Sequence, residues 1–559
     1  MKYVIYGINR VAKDFLYIFD QLNILYFIEE EKKFEQFMGK RVVSLAECLE
    51  NRVSFDQIII CDFDKEEKKT RLVQEGLIYG KDFVYEEDFF GQLDEITIPS
   101  ERKLAIWGTG VVAKEFYSYS KSRNVFCYID TLKKEEIFYD IPVVKPEEIK
   151  YWQEYFIILA VAKDRELRIS LEEKGLVEGV DYTDYQKIMG LPSTLLRKTI
   201  FDKSYYDLEC HTMQNHLEIF YRGNTRCCCT TFVAQNLDNI FEKNVIDLWN
   251  SNIHKIMHLS TENKTYTFCN KSMCPLFVAK QKEKVRMDEI PYKMLTQKPE
   301  VLSLGYDTSC NLCCSTCRKE LHFAKGEELN QVNQVTELIK KEYLEHCKFL
   351  ILAGDGEVFA SKAYREIYEA KECNPEYIRL LSNGTLFTPK NWENFIKNKT
   401  GKIMLTVSID AATKETYENI RGNGNFEQLR KNMEFASSLR KEGKLDYFRL
   451  NFVVQRKNYR EMIPFVQWGE ELGVDEIFFT KILNWGTYSE EEFQQVSMME
   501  QDGITPKEEL KEVLNHPVLR ESNIVDLGTI QYMHKIDEID IVENYYKWEL
   551  EKRGGKLFH

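Results

Sequence analysis

The chain has 559 residues, of which 43% are hydrophobic and 30% charged; this composition is typical of a folded globular protein and excludes a disordered one. The length predicts about three to five domains. The formal net charge of -14 opposes binding to nucleic acid or to an anionic membrane. No apolar run approaches the ~20 residues that a bilayer requires, and the first residues show no signal-peptide pattern. We therefore expect a cytoplasmic protein with neither kind of partner.

Residues 1–195 contain an internal repeat. Val4–Phe15 aligns with Ala105–Phe116, and each copy continues as a strand, a glycine turn, a helix, a second strand with an acidic residue and a third apolar strand. This alternation is typical of a small parallel α/β unit of Rossmann type. We therefore predict two Rossmann-like units, over residues 1–97 and 98–195.

The glycine turn of each copy would expose backbone N–H groups at a helix N-terminus, which suits a phosphate. Glu29 and Asp130 stand about twenty residues further on, where a ribose-binding carboxylate is expected. The first copy has Asn9 where the second has Gly110, so the fingerprint is incomplete. Two interpretations follow. One is a nucleotide or nucleotide-sugar site, since the copies resemble the nucleotide-sugar-binding half-domains of surface-polysaccharide enzymes. The other is a pair of docking or scaffold domains.

Cysteine is unevenly distributed along the chain. Ten of the fifteen cysteines lie between Cys210 and Cys317, and none follows Cys373. Disulfides rarely persist in the cytoplasm, so this clustering indicates metal or iron–sulfur ligands.

Beyond residue 300, strands and helices alternate with a period of about thirty residues. Six βα units in series predict a parallel sheet, curved into a partial barrel. The six predicted strands are Val301–Tyr306, Phe349–Ala353, Tyr377–Leu381, Ile403–Ile409, Phe448–Val454 and Glu476–Thr480. Helical patterns fall between them, for example over Val335–His346 and Phe426–Leu439.

Three cysteines follow the first strand of this series with the spacing C-x3-C-x2-C: Cys310, Cys314 and Cys317. Three thiolates on one loop can hold three irons of a [4Fe–4S] cluster, which leaves the fourth iron open to another ligand. A zinc site with His322 as its fourth ligand is the alternative. Cys313 has no place in this pattern, and we expect it to be a small packed side chain.

With this loop the chain resembles the radical SAM superfamily, and four further motifs agree in order. They are Ala353–Val358, Ser382–Thr385, Ser408–Asp410 with the helix that ends at Arg421-Gly422, and Asn451–Gln455. All are expected near the C-terminal ends of strands, where such a barrel gathers its active site. The resemblance implies a radical SAM core over 295–490. It assigns to S-adenosylmethionine the residues Gly354, Asp355, Gly356, Glu357, Ser382, Asn383, Ser408, Arg421 and Val454.

The resemblance also implies the chemistry. The open iron would chelate S-adenosylmethionine, and one electron would cleave it to methionine and a 5′-deoxyadenosyl radical, which takes a hydrogen atom from the substrate. No catalytic residue beyond the cluster is assigned. Two positions depart from the family: Thr316 replaces an aromatic residue near adenine, and Val358 replaces the proline after the glutamate.

A second group of cysteines precedes the barrel, within residues 200–290. Cys210, Gly223 and Cys228 have the spacing C-x12-G-x4-C, and Cys269 and Cys274 follow. This segment resembles the auxiliary-cluster region called SPASM, or its shorter twitch form, and implies an auxiliary [4Fe–4S] cluster with Cys210, Cys228, Cys269 and Cys274 as ligands. The neighbours Cys227 and Cys229 also fit as ligands. A structural zinc knuckle is the alternative.

The sequence therefore predicts an oxygen-sensitive α/β enzyme: a partial (β/α)6 radical SAM barrel, a small cysteine-rich iron–sulfur region, two N-terminal Rossmann-like units and a helical extension over 491–559. A peptide or protein substrate is expected, with a reductant such as flavodoxin or ferredoxin. A sugar or nucleotide-sugar substrate and a non-catalytic electron carrier are the alternatives.

Overall fold

The computed structural model describes the chain in two compact units. The described residues are 1–32, 34–50, 54–94, 96, 98–120, 124–131, 136–161, 165–202, 208–229, 232–233, 235–271, 274–278, 297–318, 320–396, 401–484 and 487–531. The first unit comprises Met1–Tyr206 and Lys255–Thr267, and the second comprises Asp207–His254 and Phe268–His559. None of the described helices is long and apolar enough to cross a bilayer.

The first unit contains two parallel sheets, whose strands are short runs of β-branched and aromatic residues. The strands of the first sheet are β1 (Tyr3–Tyr6), β2 (Ile24–Glu29), β3 (Gln36–Phe37), β4 (Lys40–Ser44), β5 (Gln57–Ile60) and β6 (Phe83–Tyr85). Those of the second are β7 (Lys103–Trp107), β8 (Val125–Ile129), β9 (Ile137–Phe138), β10 (Ile141–Val144), β11 (Tyr155–Leu159) and β12 (Tyr182–Asp184). The helices are α1 (Arg10–Ile18), α2 (Leu45–Glu50), α3 (Lys65–Gln74), α4 (Val111–Ser120), α5 (Arg165–Glu173), α6 (Tyr185–Ile188) and α7 (Leu191–Phe201).

The two sheets have the same strand order. The first runs β3-β4-β2-β1-β5-β6 and the second β9-β10-β8-β7-β11-β12. In each, a central strand precedes the glycine turn and the first helix, and a two-residue antiparallel strand covers one edge. The sequence repeat is therefore also a repeat of topology.

The glycine in each turn is required by a close approach of backbone. Gly7 has φ +139°, and a Cβ added there would lie 2.1 Å from the carbonyl oxygen of Cys61, just after β5. Gly108 has φ +124°, and its added Cβ would lie 2.5 Å from the carbonyl oxygen of Ala160, just after β11. Packing of the turn against the neighbouring strand end thus explains both glycines without a ligand.

The first unit ends in a segment that is distant in sequence. Asn263 donates its side-chain amide to the carboxylate of Asp14 at 2.6 Å and to the carbonyl oxygen of Thr199 at 3.1 Å. These groups are buried, and a buried carboxylate requires such a donor. Residues 255–267 therefore pack with the repeats, whereas the sequence ranges group them with the cysteine-rich segment over 200–290.

The second unit is built on one nine-stranded sheet. Its strands and the adjoining short ladder are β13 (His216–Phe220), β14 (Asn224–Arg226), β15 (Val301–Gly305), β16 (Cys313–Cys314), β17 (Phe349–Leu352), β18 (Tyr377–Ser382), β19 (Lys402–Ser408), β20 (Arg421–Gly422), β21 (Tyr447–Val454), β22 (Glu476–Lys481) and β23 (Val525–Asp526). The remaining helices of the chain are α8 (Thr212–Asn215), α9 (Val245–Trp249), α10 (Asn252–Glu262), α11 (Pro275–Val278), α12 (Gly326–Glu342), α13 (Lys362–Glu369), α14 (Pro389–Ile396), α15 (Lys414–Ile420), α16 (Phe426–Lys441), α17 (Met462–Leu472), α18 (Glu490–Val496), α19 (Glu508–Leu514), α20 (Pro517–Glu521) and α21 (Gly528–Gln531).

All six strands predicted beyond residue 300 are present, and each pairs in parallel with the next along the chain. Strand order is β14-β13-β15-β17-β18-β19-β21-β22-β23. The cysteine-rich segment therefore adds a hairpin at one edge, and β23 adds a strand at the other, within a segment for which only helix was expected. Residues 532–559 of that expected extension lie outside the described residues. An apolar cluster of Val301, Phe349 and Met404 fills one face of the sheet near the edge where the strands begin.

The turn glycine of the first repeat gives a direct test of this packing. Gly7→Ala should lower the free energy of unfolding by about 2 kcal/mol or more, because the new methyl group meets a backbone carbonyl at a strained φ. Gly39→Ala is the matched control, since Gly39 also has positive φ (+75°) but open space around it; it should cost only about 1 kcal/mol. Denaturant unfolding and hydrogen exchange of the β1 and β5 amides measure both. Equal effects of the two substitutions would contradict the packing argument.

Candidate functional site

The parallel strands of the second unit end at one edge of the sheet, here called the carboxyl edge, and the loops that follow β15, β17, β18 and β19 meet there. The loop after β15 carries the three-cysteine motif. Gly356, in the loop after β17, lies against this cysteine loop: an added Cβ would be 2.5 Å from the carbonyl oxygen of Asp307 and 2.8 Å from that of Ser309. The next amide, Glu357 N–H, donates to the Ser309 carbonyl at 2.9 Å.

The three motif cysteines pack together. Cys310 and Cys314 are buried with Leu312, and the half-buried Cys317 packs against them. Burial raises the pKa of the Cys310 thiol to about 11. Burial also raises the pKa of Cys314, while the guanidinium of Arg421 opposes that shift. The loop therefore presents closely packed thiols beside a fixed positive charge.

A two-residue ladder fixes this loop to the end of α15. β16 pairs antiparallel with β20, so that Cys313 faces Gly422 and Cys314 faces Arg421. Gly422 is required because an added Cβ would lie 2.5 Å from the Cys313 carbonyl oxygen. The Arg421 guanidinium donates to Cys314 Sγ at 3.6 Å.

Arg421 is held by a buried carboxylate. Its Nη2 lies 2.6 Å from Oδ2 of Asp410, which is 1% exposed. The other oxygen of Asp410 accepts from the amide of Val453 at 2.7 Å. Burial opposes the charge of Arg421, but Asp410 and Cys314 together raise its pKa above the usual value. Asp410 has φ +67°, a strained conformation that is typical of functional sites.

Glu357 joins the loops that follow β17 and β18. Its carboxylate accepts from Ser382 Oγ at 2.8 Å, from the Asn383 amide at 2.7 Å and from the Phe359 amide at 3.2 Å. The residue is 0% exposed, and burial raises its pKa to about 7 although the hydrogen bonds oppose that shift. Asn383 reaches the cysteine loop from here, through Cys310 Sγ at 3.7 Å and Asn311 Oδ1 at 3.0 Å.

A second arginine supports the cysteine loop from its other end. Arg318 directly follows the third cysteine and donates to the carbonyl oxygens of Thr308 at 2.6 Å and Asp355 at 2.9 Å. The half-buried Asp355 carboxylate has a pKa raised to about 8 by burial and by Glu218, while Arg226 and Arg318 oppose that shift. Two arginines adjacent in sequence to cysteines of the two groups thus act on one carboxylate.

The remaining residues expected at this site lie at the same edge, with differing exposure. Gly354 is exposed beside the cysteine loop. Ser408 ends β19, where it pairs with Asn451. Val454 is buried on the same face of β21 as Phe452, because alternate residues share a face. Its side chain therefore lies on the face opposite Asn451.

The second cysteine group is assembled by the hairpin β13–β14. The chain runs along β13, turns at Arg222 and Gly223, both with positive φ, and returns along β14, so that Cys228 comes back to the level at which Cys210 leaves. Gly223 is required at the turn, since an added Cβ would lie 2.9 Å from Ile240. The glycine of the C-x12-G-x4-C spacing is thus a hairpin glycine.

The cysteines of the second group act on one another. After burial, Cys210, Cys229 and Cys274 raise the pKa of Cys228, and Cys274 and Cys210 raise that of Cys269. Cys227 is fully buried beside Cys210, whereas Cys229 is exposed. The structure therefore brings together all four expected ligands, with Cys227 as a near neighbour.

The two cysteine groups lie at opposite edges of the sheet. β13 begins at His216 opposite Val301 and ends at Phe220 opposite Gly305, and His216 Nδ1 lies 3.1 Å from the Cys227 carbonyl oxygen. The second group is therefore near the edge where the strands begin, while Cys310 follows the edge where they end. Four residue steps of a strand separate these levels by about 13 Å.

The donor chemistry of both groups fits iron–sulfur clusters. Each of the cluster's thiolates binds its own iron, and sulfur donors with positive side chains nearby are present at Cys310, Cys314 and Cys317. Within the described residues, no three His, Cys, Asp or Glu side chains are arranged to hold a single metal ion. His322, the fourth ligand of the zinc alternative, has its Nε2 2.9 Å from Glu328 Oε1.

Some residues of the site were not singled out by sequence reasoning. Asp410 ends the Ser408–Asp410 motif and Arg318 follows Cys317, so each was adjacent to a recognised pattern, but its partner lies far away in sequence. Arg226 precedes the second cysteine run without any motif of its own. Adjacency to a ligand was the available signal, and the ion pairs were not readable from spacing.

Comparison with known proteins finds partial similarity. No protein-family profile matches the chain. An AdoMet-dependent heme synthase from Methanosarcina barkeri is 29% identical over 208 residues, which is 35% of this chain and 55% of that protein. A probable GTP 3′,8-cyclase from Methanococcus aeolicus is 24% identical over 176 residues, covering 31% of this chain and 56% of that protein. The chain thus spans about half the length of the curated relatives it matches.

Solved structures show only weak overall similarity. Streptococcus suis SuiB bound to precursor peptide SuiA superposes with a TM-score of 0.31 at 15% identity, covering 41% of this chain and 49% of that one. The enzyme anSMEcpe with bound AdoMet gives a TM-score of 0.26 at 21% identity, covering 34% and 52%.

The contact between Gly356 and the cysteine loop can be tested against a neighbour. Gly356→Ala should displace the loop, because its methyl group would overlap the carbonyl oxygens of Asp307 and Ser309, and should raise amide exchange at Cys310 and Cys317. Gly354→Ala is the control, since nothing lies within 4 Å of its added Cβ. We expect a stability loss of about 1–3 kcal/mol for Gly356→Ala only. Unchanged exchange in Gly356→Ala would contradict the close approach.

Proposed function

We propose that this chain is a radical SAM enzyme, in which Cys310, Cys314 and Cys317 hold a [4Fe–4S] cluster and the open iron binds S-adenosylmethionine. The similarity to the heme synthase and the cyclase supports the superfamily and an enzymatic role for the matched part of the chain. The series of parallel strands in chain order supports a partial (β/α)6 barrel, here extended by β13, β14 and β23.

One observation carries this proposal. The three-cysteine loop, which has almost no regular structure of its own, is held at the carboxyl edge by four separate contacts: Gly356, Asn383, Arg318 and Arg421. A merely packed cysteine requires none of them. Their convergence on three thiols that share a spacing with room for a fourth ligand is typical of a reactive site rather than a structural one.

When bound, the reduced cluster supplies the electron that cleaves S-adenosylmethionine into methionine and a 5′-deoxyadenosyl radical, which abstracts hydrogen from the substrate. The chain's part is to hold charge in place. Arg421 and Arg318 oppose the negative charge of the thiolates, and Asp410 keeps Arg421 at its position. Burial of Cys310 and Cys314 limits access of water to the sulfurs.

Contacts to the cosubstrate follow from the same loops. We assign the ammonium and carboxylate of S-adenosylmethionine to the surface formed by Gly354, Gly356, Asn383 and Arg421, with Ser408 towards the ribose. Glu357 is fully buried and its carboxylate already accepts three hydrogen bonds, so we place it behind this surface, where it orients Ser382 and Asn383.

The second cysteine group is proposed to hold an auxiliary [4Fe–4S] cluster on Cys210, Cys228, Cys269 and Cys274. Because it lies at the opposite edge of the sheet, about 13 Å or more from the first group, a small substrate cannot contact both. We therefore favour electron transfer over substrate binding as its role, with an external one-electron donor such as flavodoxin or ferredoxin.

A peptide or protein substrate remains our proposal, since the auxiliary region resembles that of peptide-modifying enzymes. A sugar or nucleotide-sugar is the alternative. In the first repeat, Asn9 Oδ1 accepts from the Ala12 amide at 3.2 Å and so occupies the helix N-terminus that a phosphate would need. In the second, Asp130 accepts from Thr109 at 2.5 Å. These contacts favour docking over nucleotide binding in the first copy.

Metal content tests the two cluster assignments. Anaerobic reconstitution should give about eight irons per chain, and a variant combining Cys310→Ala, Cys314→Ala and Cys317→Ala should keep about half of them. The complementary variant with Cys210→Ala, Cys228→Ala, Cys269→Ala and Cys274→Ala should also keep half. Stoichiometric zinc without iron in the unaltered protein would contradict both assignments.

Cosubstrate cleavage tests the reaction class. The reduced protein should release 5′-deoxyadenosine from S-adenosylmethionine even without substrate, and Cys314→Ala should abolish the release. Cys313→Ala, one residue away, is the matched control and should keep it, because Cys313 has no ligand role. If the unaltered protein releases no 5′-deoxyadenosine and its cluster signal does not change on adding S-adenosylmethionine, the electron-carrier alternative is favoured.

A further inference from the structure

A tyrosine on α15 lies beside the proposed cluster site and has no role in the assignments above. Tyr417 is one helical turn before Arg421 and is 0% exposed. Its ring packs against Phe426, with centroids 5.5 Å apart, and on another side against Gly424, whose added Cβ would lie 2.7 Å from Tyr417 Cε1. The ring is therefore fixed, and the position of its hydroxyl with it.

The hydroxyl of Tyr417 is buried and finds no hydrogen-bond partner among the described residues. Buried polar groups are nearly always paired, so an exception calls for a ligand, an ion or a water. Burial raises the pKa of this hydroxyl far above its usual value, and Cys314 and Asp410 raise it further while Arg421 opposes them. The hydroxyl is therefore protonated and able to donate.

The groups around it do not meet this donor. The Arg421 guanidinium is itself a donor only. The Asp410 carboxylate is already engaged by Arg421 and by the Val453 amide. Cys314 Sγ accepts from Arg421. Two donors, the hydroxyl and the guanidinium, thus stand on the same side of Cys314, an arrangement that suits an anionic acceptor.

We propose that Tyr417 is a positioning residue whose hydroxyl donates a hydrogen bond to an anionic acceptor of the loaded site. This inference rests on the proposed function. The acceptor is either a sulfur of the cluster held by Cys314 or the carboxylate of S-adenosylmethionine. Both are anionic and both belong beside Arg421. The bond forms without any change of covalent structure, and it fixes the acceptor against α15.

The test compares Tyr417→Phe with Tyr343→Phe in the full-length, anaerobically reconstituted protein. Tyr343 at the end of α12 also has a buried hydroxyl without a partner among the described residues, so its substitution repeats the chemical change away from the site. Two quantities are measured by electron paramagnetic resonance: the midpoint potential of the cluster without S-adenosylmethionine, and the dissociation constant of S-adenosylmethionine from the shift of the cluster signal.

If the acceptor is the carboxylate, Tyr417→Phe should weaken S-adenosylmethionine binding about ten- to hundred-fold. If it is a cluster sulfur, the midpoint potential should become more negative, because hydrogen bonds to sulfur stabilise the reduced, more negative cluster. Tyr343→Phe should change neither. Incorporation of 3,5-difluorotyrosine at position 417 makes a stronger donor and should shift the affected quantity in the opposite direction, which keeps the test open if Tyr417→Phe folds poorly.

Tyr417→Phe with the affinity and the potential of the unaltered protein would overturn the inference and leave a buried water as the partner. The proposed function has a separate criterion in the same experiment: the unaltered protein must show a cluster signal that responds to S-adenosylmethionine. Failure of that response contradicts the proposed function, whereas a response that is equal in Tyr417→Phe contradicts only the role of Tyr417.

Discussion

The buried ion pair between Arg421 and Asp410 is the interaction on which the geometry of the cysteine loop depends. Asp410 directly follows β19 and is oriented by the amide of Val453 after β21, so two strand ends define its position. Arg421 carries that position to Cys314 and, through the pairing of β20 with β16, to the backbone of the loop. Removal of either partner would leave a buried charge without its counter-charge, a strongly destabilising state. The pair thus transmits the order of the sheet to a loop that has little order of its own.

Close backbone contacts make this transmission possible. Gly356 and Gly422 each bring a loop within a distance at which no side chain fits, and both contact the cysteine loop. The polar groups that these approaches enclose are paired: Glu357 accepts from the next loop along, and Asn383 returns to the cysteine loop. Exclusion of water strengthens these pairs, since a low dielectric increases every electrostatic interaction. The same exclusion of water protects a cluster's sulfurs from exchange with solvent.

The cysteine-rich segment has a different relation to the sheet. Its hairpin joins the edge of the sheet beside β15, which places its cysteines at the edge where the strands begin, while the three-cysteine loop lies where they end. One sheet therefore separates the two groups and also connects them, because Arg226 in β14 and Arg318 after Cys317 both act on Asp355. This placement suits a path for charge more than a shared substrate pocket.

Local pattern determined much of this protein from the sequence alone. The six strands beyond residue 300, the repeat and both cysteine spacings are set by residues close together in the chain, where hydrophobic periodicity and ligand spacing act. Tertiary structure alone decided the rest: the return of residues 255–267 to Asp14, the addition of β13, β14 and β23 to the sheet, the burial of Glu357 behind Ser382 and Asn383, and the pairing of Arg421 with Asp410. Each of these joins residues that are distant in sequence or share no periodic pattern, and their energy comes from desolvation and pairing of polar groups, which depend on what surrounds a residue and not on its neighbours in the chain.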